Sequence, residues 1–140
     1  MTTRGIRNNN PGNIRKGRTK WQGLAKEQPD SAFCTFTSMP YGIRALIKTL
    51  MTYHNKHKLN TVKKIINRWA PPVENNTTAY IQSVCKQMPI PLEPDDIIPL
   101  ADIPQLYVAL AKAIARHENG KAALNIPTED WKKGAILAGL

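Results

Sequence analysis

The sequence predicts a mainly helical α+β chain, several helices with one small β-hairpin near the N-terminus. Three observations carry this. Apolar residues recur at i, i+3, i+4, i+7 spacing in successive segments after residue 39. Proline, asparagine and glycine punctuate those segments. Between Trp21 and Phe36 the pattern is short and mixed: Phe33 and Phe36 flank Cys34 and Thr35, and Pro29-Asp30 offers a hairpin turn. With 140 residues and 41% hydrophobic residues, the chain has the size of one ordinary domain and can build a core. A single domain over 1–140 is therefore expected.

Asn8-Asn-Asn-Pro-Gly-Asn13 cannot form a regular helix and reads as a turn. The first long helix starts near Met39, with Ser38 as N-cap and Pro40 in its first turn. Ile43, Leu46, Ile47, Leu50 and Met51 form its apolar stripe, which reaches toward His54. A shorter helix follows from Asn60 or Thr61, burying Val62, Ile65, Ile66 and Trp69, until Pro71-Pro72 ends it. The next is capped by Asn76 or Thr77 and carries Tyr80, Ile81, Val84, Cys85 and Met88. Five prolines make residues 89–104 a loop. A fourth helix runs from about Pro104 to Glu118 and stops at Asn119-Gly120. Thr128 caps a last short helix.

Twenty Lys and Arg against ten Asp and Glu give a net charge of +10, which predicts attraction to anionic partners: nucleic acid, an anionic membrane surface or an acidic wall polymer. Six of the basic residues fall within the first 20 positions, but no nucleic-acid motif accompanies them and aromatic residues make up only 6%. Nucleic acid is not expected as the partner. No apolar run approaches the roughly 18 residues of a membrane span, and the N-terminus lacks the apolar core of a secretory signal. A product made in the cytoplasm, without membrane insertion, is expected. Cys34 and Cys85 stand far apart; a disulfide between them is open, and two buried free thiols are expected. No zinc-type spacing appears, so neither a metal nor a cofactor is expected. His54 and His57 fall in a basic polar turn and read as solvated.

Glu118 is the most informative acid. It lies four residues beyond Ile114, on the face marked by Tyr107, Leu110, Ala111 and Ile114, in the helix's last turn. A carboxylate is disfavoured there by partial desolvation and by the negative end of the helix dipole, which favours the proton-carrying form a glycosidase needs. The plainer reading is an exposed helix-end acid partnered by Arg116 or Lys121. The asparagine turn with Asn9, Asn10 and Asn13 offers amide donors and acceptors suited to an amino sugar, and Trp21 a ring that can stack on it. The plainer readings are self-satisfied turn asparagines and a core Trp. Tyr80, in the first turn of its helix, is placed to reach a cleft or to pack in the core. His117, about 100° around the helix from Glu118, reads as a surface or rim residue.

These residues form a string: Asn-Asn-x-Pro-Gly-Asn-Ile, Trp-x-Gly, Phe-x-x-Phe, Tyr-Gly-x-Arg-Ala and Trp-Ala-Pro-x-x-Glu-Asn-x-Thr-x-x-Tyr. Over roughly residues 4–120 it resembles small phage and prophage proteins labelled as virion or structural proteins. A second resemblance is to flagellar-type cell-wall glucosaminidases. There a helix ending in a catalytic Glu precedes an Asn-rich turn, a Trp-x-Gly hairpin and a helix-starting Tyr. Here the downstream elements keep that order, while the helix ending in Glu stands at the back. The resemblance implies a circularly permuted, lysozyme-like domain that cleaves the β-1,4 bond between N-acetylmuramic acid and N-acetylglucosamine. It implies Glu118 as general acid, Tyr80 as the tyrosine facing it, and Asn9, Asn10, Asn13, Trp21 and Trp69 around the glycan. Pro11 stands where that pattern has an aromatic residue. The second carboxylate is open among Glu27, Asp30 and Glu74, as is the choice between a hydrolase and a lytic transglycosylase. The implied partners are peptidoglycan strands, virion proteins or a cognate inhibitor, reached by release, virion packaging or secretion. A non-catalytic virion or glycan-binding protein is the alternative.

Overall fold

The computed structural model describes residues 2–140; Met1, the first position of the expected 1–140 domain, lies outside them. Helices occupy Arg4–Arg7 (α1), Met39–Asn55 (α2), Val62–Trp69 (α3), Thr77–Gln87 (α4), Gln105–Asn119 (α5) and Thr128–Leu137 (α6), with a 3-10 helix over Gly120–Asn125. The α2 stripe of Ile43, Leu46, Ile47 and Leu50 is completely buried. It meets Val62, Ile65 and Ile66 of α3, Tyr80, Ile81 and Val84 of α4, and Leu110, Ala111 and Ile114 of α5 in one apolar core. Each Ile, Leu or Val side chain among them, taken out of water, contributes about 1.5–3 kcal/mol before chain entropy is set against it.

Local chemistry fixes the helix starts. Thr61 accepts a hydrogen bond from the Lys64 amide, and Asn76 accepts one from the Ala79 amide, so both are side-chain N-caps. Ser38 sits at the N-cap position of α2 but makes no side-chain cap bond. Thr128 is already inside α6, behind Pro127, and does not cap it, contrary to the expectation from sequence. The Pro127 ring presets the backbone where an N-cap would stand. Gly120 takes a positive φ of 61° and ends α5, but the chain continues at once into the 3-10 helix. The 89–104 loop is tied down: the Ile98 amide donates to the Asn60 carbonyl, and Ile98 and Leu100 are buried.

The predicted β-hairpin does not form. Its region holds only isolated bridges, Arg15 with Phe33 and Leu24 with Phe36. Side chains do the work of a ladder. The Gln28 amide donates to the Ala25 and Thr35 carbonyls and accepts from the Thr35 amide. Asp30 accepts from the amides of Ala32 and Phe33. This segment packs Cys34 and Phe36 on Ala45 of α2, with Ile14, Trp21, Leu24 and Tyr41 around them. Both cysteines are free thiols; Cys34 is buried and Cys85 half-buried, and burial pushes both thiols up from their usual range. No described helix is long and apolar enough to cross a membrane. His54, expected to be solvated, instead places Nδ1 2.8 Å from the Tyr107 hydroxyl on α5.

Candidate functional site

The asparagine turn is built first, because it carries one wall of the site. Asn10 is fully buried; its amide group donates to the carbonyls of Ile14 and Cys34, and its Oδ1 accepts from the Ile14 amide. Asn9, at φ 52°, donates to the Phe36 carbonyl. Its own carbonyl lies against Gly42 of α2, where any Cβ would collide with it. Both side chains are therefore committed to holding the turn, and neither lines the cleft as expected. The turn presents Asn13, also left-handed at φ 51°, to the C-terminal end of α5.

Asn119 fixes that meeting. Buried at the end of α5, it donates to the Pro11 carbonyl at 2.9 Å and the Ala115 carbonyl at 3.0 Å, and accepts from the Thr3 hydroxyl at 2.6 Å. The neighbouring Glu118 then projects into the gap. Asn13 Nδ2 donates to Glu118 Oε1 at 2.9 Å, and the Tyr80 hydroxyl donates to Oε2 at 2.8 Å. Glu118 forms no ion pair with Arg116 or Lys121, so the plainer reading of an exposed, salt-bridged helix-end acid does not describe it. Tyr80 is 1% exposed; its burial, then the facing Glu118 charge, pushes its hydroxyl far above the ordinary range, so it stays a donor. His117 is exposed, yet its ring stacks on Tyr80 with centroids 3.8 Å apart. Partial burial lowers its basicity, against the opposing pull of Glu118.

In front of Glu118 opens a cleft of about 420 Å³. It brings together Asn13, Trp21, Trp69, Glu74 and Glu118 from the expected set, and adds Arg15, Phe33 and Tyr53. Trp69 and Tyr53 meet edge to face, 6.3 Å between centroids, and Trp69 also covers Gly12. Trp21 has one side in the small core and still lines the cleft, so its two readings coincide. A smaller hollow of about 210 Å³, bordered by Tyr80, His117 and Asn76, shares Asn75 and Glu118 with the cleft.

The candidate second carboxylates separate. Glu27 is exposed and lines no part of the cleft. Asp30 is also outside it, held by the Ala32 and Phe33 amides, Asn8 and Arg4; the two backbone bonds lead in holding its carboxyl down at about 2. Glu74 does line the cleft, with Oε2 3.7 Å from Arg15 Nη2. Among the described residues no group of three or more His, Cys, Asp or Glu is arranged to hold a metal ion.

Over 120 residues the chain is 38% identical to Protein P5 of Pseudoalteromonas phage PM2, an alignment that covers 84% of this chain and 71% of that protein. The chain belongs to the family of Protein P5. No family model matches it. In this member of the Protein P5 family, sequence reasoning missed Asn119, which read only as a helix stop. A polar residue one turn beyond an apolar stripe is the single signal that marked it. Tyr53, Phe33 and Arg15 were also missed, because cleft lining depends on contacts between segments far apart in the chain.

Proposed function

We propose that the protein cleaves the β-1,4 bond between N-acetylmuramic acid and N-acetylglucosamine in peptidoglycan, with Glu118 as general acid. One observation carries this reading: a half-buried carboxyl group at the mouth of α5, gripped on both oxygens by Asn13 and Tyr80, faces a cleft lined with aromatic rings. Flat apolar ring faces beside a few polar groups suit the faces of a sugar chain. Protonated Glu118 gives its proton to the glycosidic oxygen as the C1–O bond breaks. The electron-poor sugar carbon is then taken by water or by one of the sugar's own hydroxyls, whose proton returns to Glu118. As the proton leaves, negative charge grows on the carboxylate where the Tyr80 hydroxyl and the Asn13 amide already donate, and both bonds strengthen.

Asn13 serves the protonated state as well. Its Oδ1 is buried and has no hydrogen-bond partner. Half a turn of the amide would place that acceptor against a Glu118 hydroxyl. In this reading the remaining cleft carboxylate, Glu74, orients the water. The fold this reading implies is lysozyme-like and circularly permuted, with the acid-bearing helix placed after the asparagine turn in sequence; the contact of Asn13 with Glu118 across 105 positions is compatible with it. The partners in this reading are peptidoglycan strands and, for a delivered enzyme, a cognate inhibitor. The site of action is the bacterial wall, reached by release or delivery.

Kinship with a phage protein favours a second reading, a virion component that is structural or binds glycan without cleaving it, with other virion proteins as partners. Mass analysis of the material released from purified sacculi separates the two. Glycans ending in a reducing sugar identify a hydrolase, and glycans ending in an anhydro ring a lytic transglycosylase. Absence of released glycan from a folded protein leaves the non-catalytic reading.

A further inference from the structure

Residues 15–21 form one bank of the cleft, and every second residue of the segment lines it. Arg15, Gly17, Thr19 and Trp21 line the cleft. Lys16, Arg18 and Lys20 do not line it, and all three are exposed. Lys16 Nζ reaches only the Gln28 carbonyl, at 3.4 Å. Among the described residues none of the three forms an ion pair. Upstream no acid is available, since the first in the sequence is Glu27.

We propose that Lys16, Arg18 and Lys20 form a cationic ridge that binds the carboxylates of an acidic wall glycan, so that the cleft's polymer is peptidoglycan and not a neutral chain such as chitin. The proposal rests on the cleft holding glycan, as in the catalytic reading and in the glycan-binding form of the second, and does not depend on catalysis. These three exposed cations alternate in sequence with the cleft-lining residues of one bank, so the carboxylates of a strand in the cleft, or of its neighbour, are the anions nearest to hand. Singly, exposed charges contribute little; adjacent and of one sign, they raise the local concentration of a polyanion and make its binding salt-dependent. Charge complementarity with a nucleic acid would be equal, but the aromatic rings that would stack bases, Trp21 and Phe33, line the cleft side and none stands on the ridge.

The test is co-sedimentation of Glu118→Gln protein with purified sacculi, and separately with chitin, from 50 to 500 mM NaCl. Three forms are compared: the parent, a ridge triple (Lys16→Gln, Arg18→Gln, Lys20→Gln) and a distal triple of equal charge change (Lys64→Gln, Lys86→Gln, Lys133→Gln). The ridge triple is expected to bind sacculi at least tenfold more weakly at 50 mM salt, to lose about 1–2 from the slope of log affinity against log salt, and to bind chitin unchanged. The distal triple is expected to lose less than threefold. Equal losses in both triples would assign the effect to net charge and overturn the proposal, as would unaltered binding by the ridge triple. Tighter, ridge-dependent retention of duplex DNA than of sacculi would also overturn it, in favour of a nucleic acid. If wild-type protein releases no glycan while ridge-dependent binding persists, cleavage fails and the ridge stands.

Discussion

Asn119→Ala tests the joint that makes the site. The wild-type side chain is 4% exposed and makes three hydrogen bonds, to Pro11, Ala115 and Thr3. The Ala115 carbonyl sits inside α5 and the Thr3 hydroxyl can turn to water, so those two losses are modest, about 1 kcal/mol together. The Pro11 carbonyl is different: Pro11 is buried and, among the described residues, accepts from no other group, so truncation orphans it at a further cost of about 1–3 kcal/mol. The sum is about 2–4 kcal/mol, or a fall in Tm of about 7–14 °C for a chain of this length. Thr3→Ala, which removes one of the three bonds from a half-exposed position, is expected to cost less than about 1 kcal/mol. Urea and thermal unfolding followed by circular dichroism measure both. A loss below about 1 kcal/mol for Asn119→Ala would show that Asn119 does not fasten the asparagine turn to α5.

Two further outcomes follow from the geometry. Tyr80→Phe keeps the buried ring and its stacking on His117 but removes the bond to Glu118. Glycan release should fall about ten- to a hundredfold, the equivalent of one charge-assisted hydrogen bond, with Tm little changed; full activity would remove the hydroxyl from the mechanism. Asp30 is held near 2 when folded against an ordinary 3.8, so the stability it contributes is present above about pH 4 and drains away as pH falls toward 2. The Tm gap between wild type and Asp30→Asn should therefore narrow between pH 5 and pH 2, and a gap constant over that window would contradict the assignment.

Helix existence was legible in the sequence because burial of a stripe imposes its period. The stripes of α2 to α5 are the residues that form the core, and Thr61 and Asn76 cap where cap chemistry places them. Legibility failed where side chains replaced backbone ladders. A Pro29-Asp30 turn between aromatic residues reads as a hairpin, yet Gln28 and Asp30 satisfy the backbone groups that a second strand would have paired. It failed again at Thr128, where Pro127 already sets the entry to α6.

The site divides along the same line. Glu118 could be marked from its place on one helix face, a local property. What surrounds it could not: Asn13 meets it across 105 positions, and Tyr80 across 38. Asn9 and Asn10 show the converse. Their residue type suits sugar recognition, but in a turn this tight their amides are consumed by the backbone, and only Asn13 is left facing the cleft.

The most direct test compares glycan release from purified sacculi by wild type and Glu118→Gln, both shown to be folded by matched circular dichroism and unfolding curves. Glutamine keeps the size while removing the transferable proton; its oxygen still accepts from one of the two partners, and its NH2 donates to the other once Asn13 turns its Oδ1 inward or the Tyr80 hydroxyl rotates. The account predicts release by wild type and a loss of at least a hundredfold in the variant, with binding to sacculi retained. Release undiminished in Glu118→Gln, or none from the folded wild type, would contradict it.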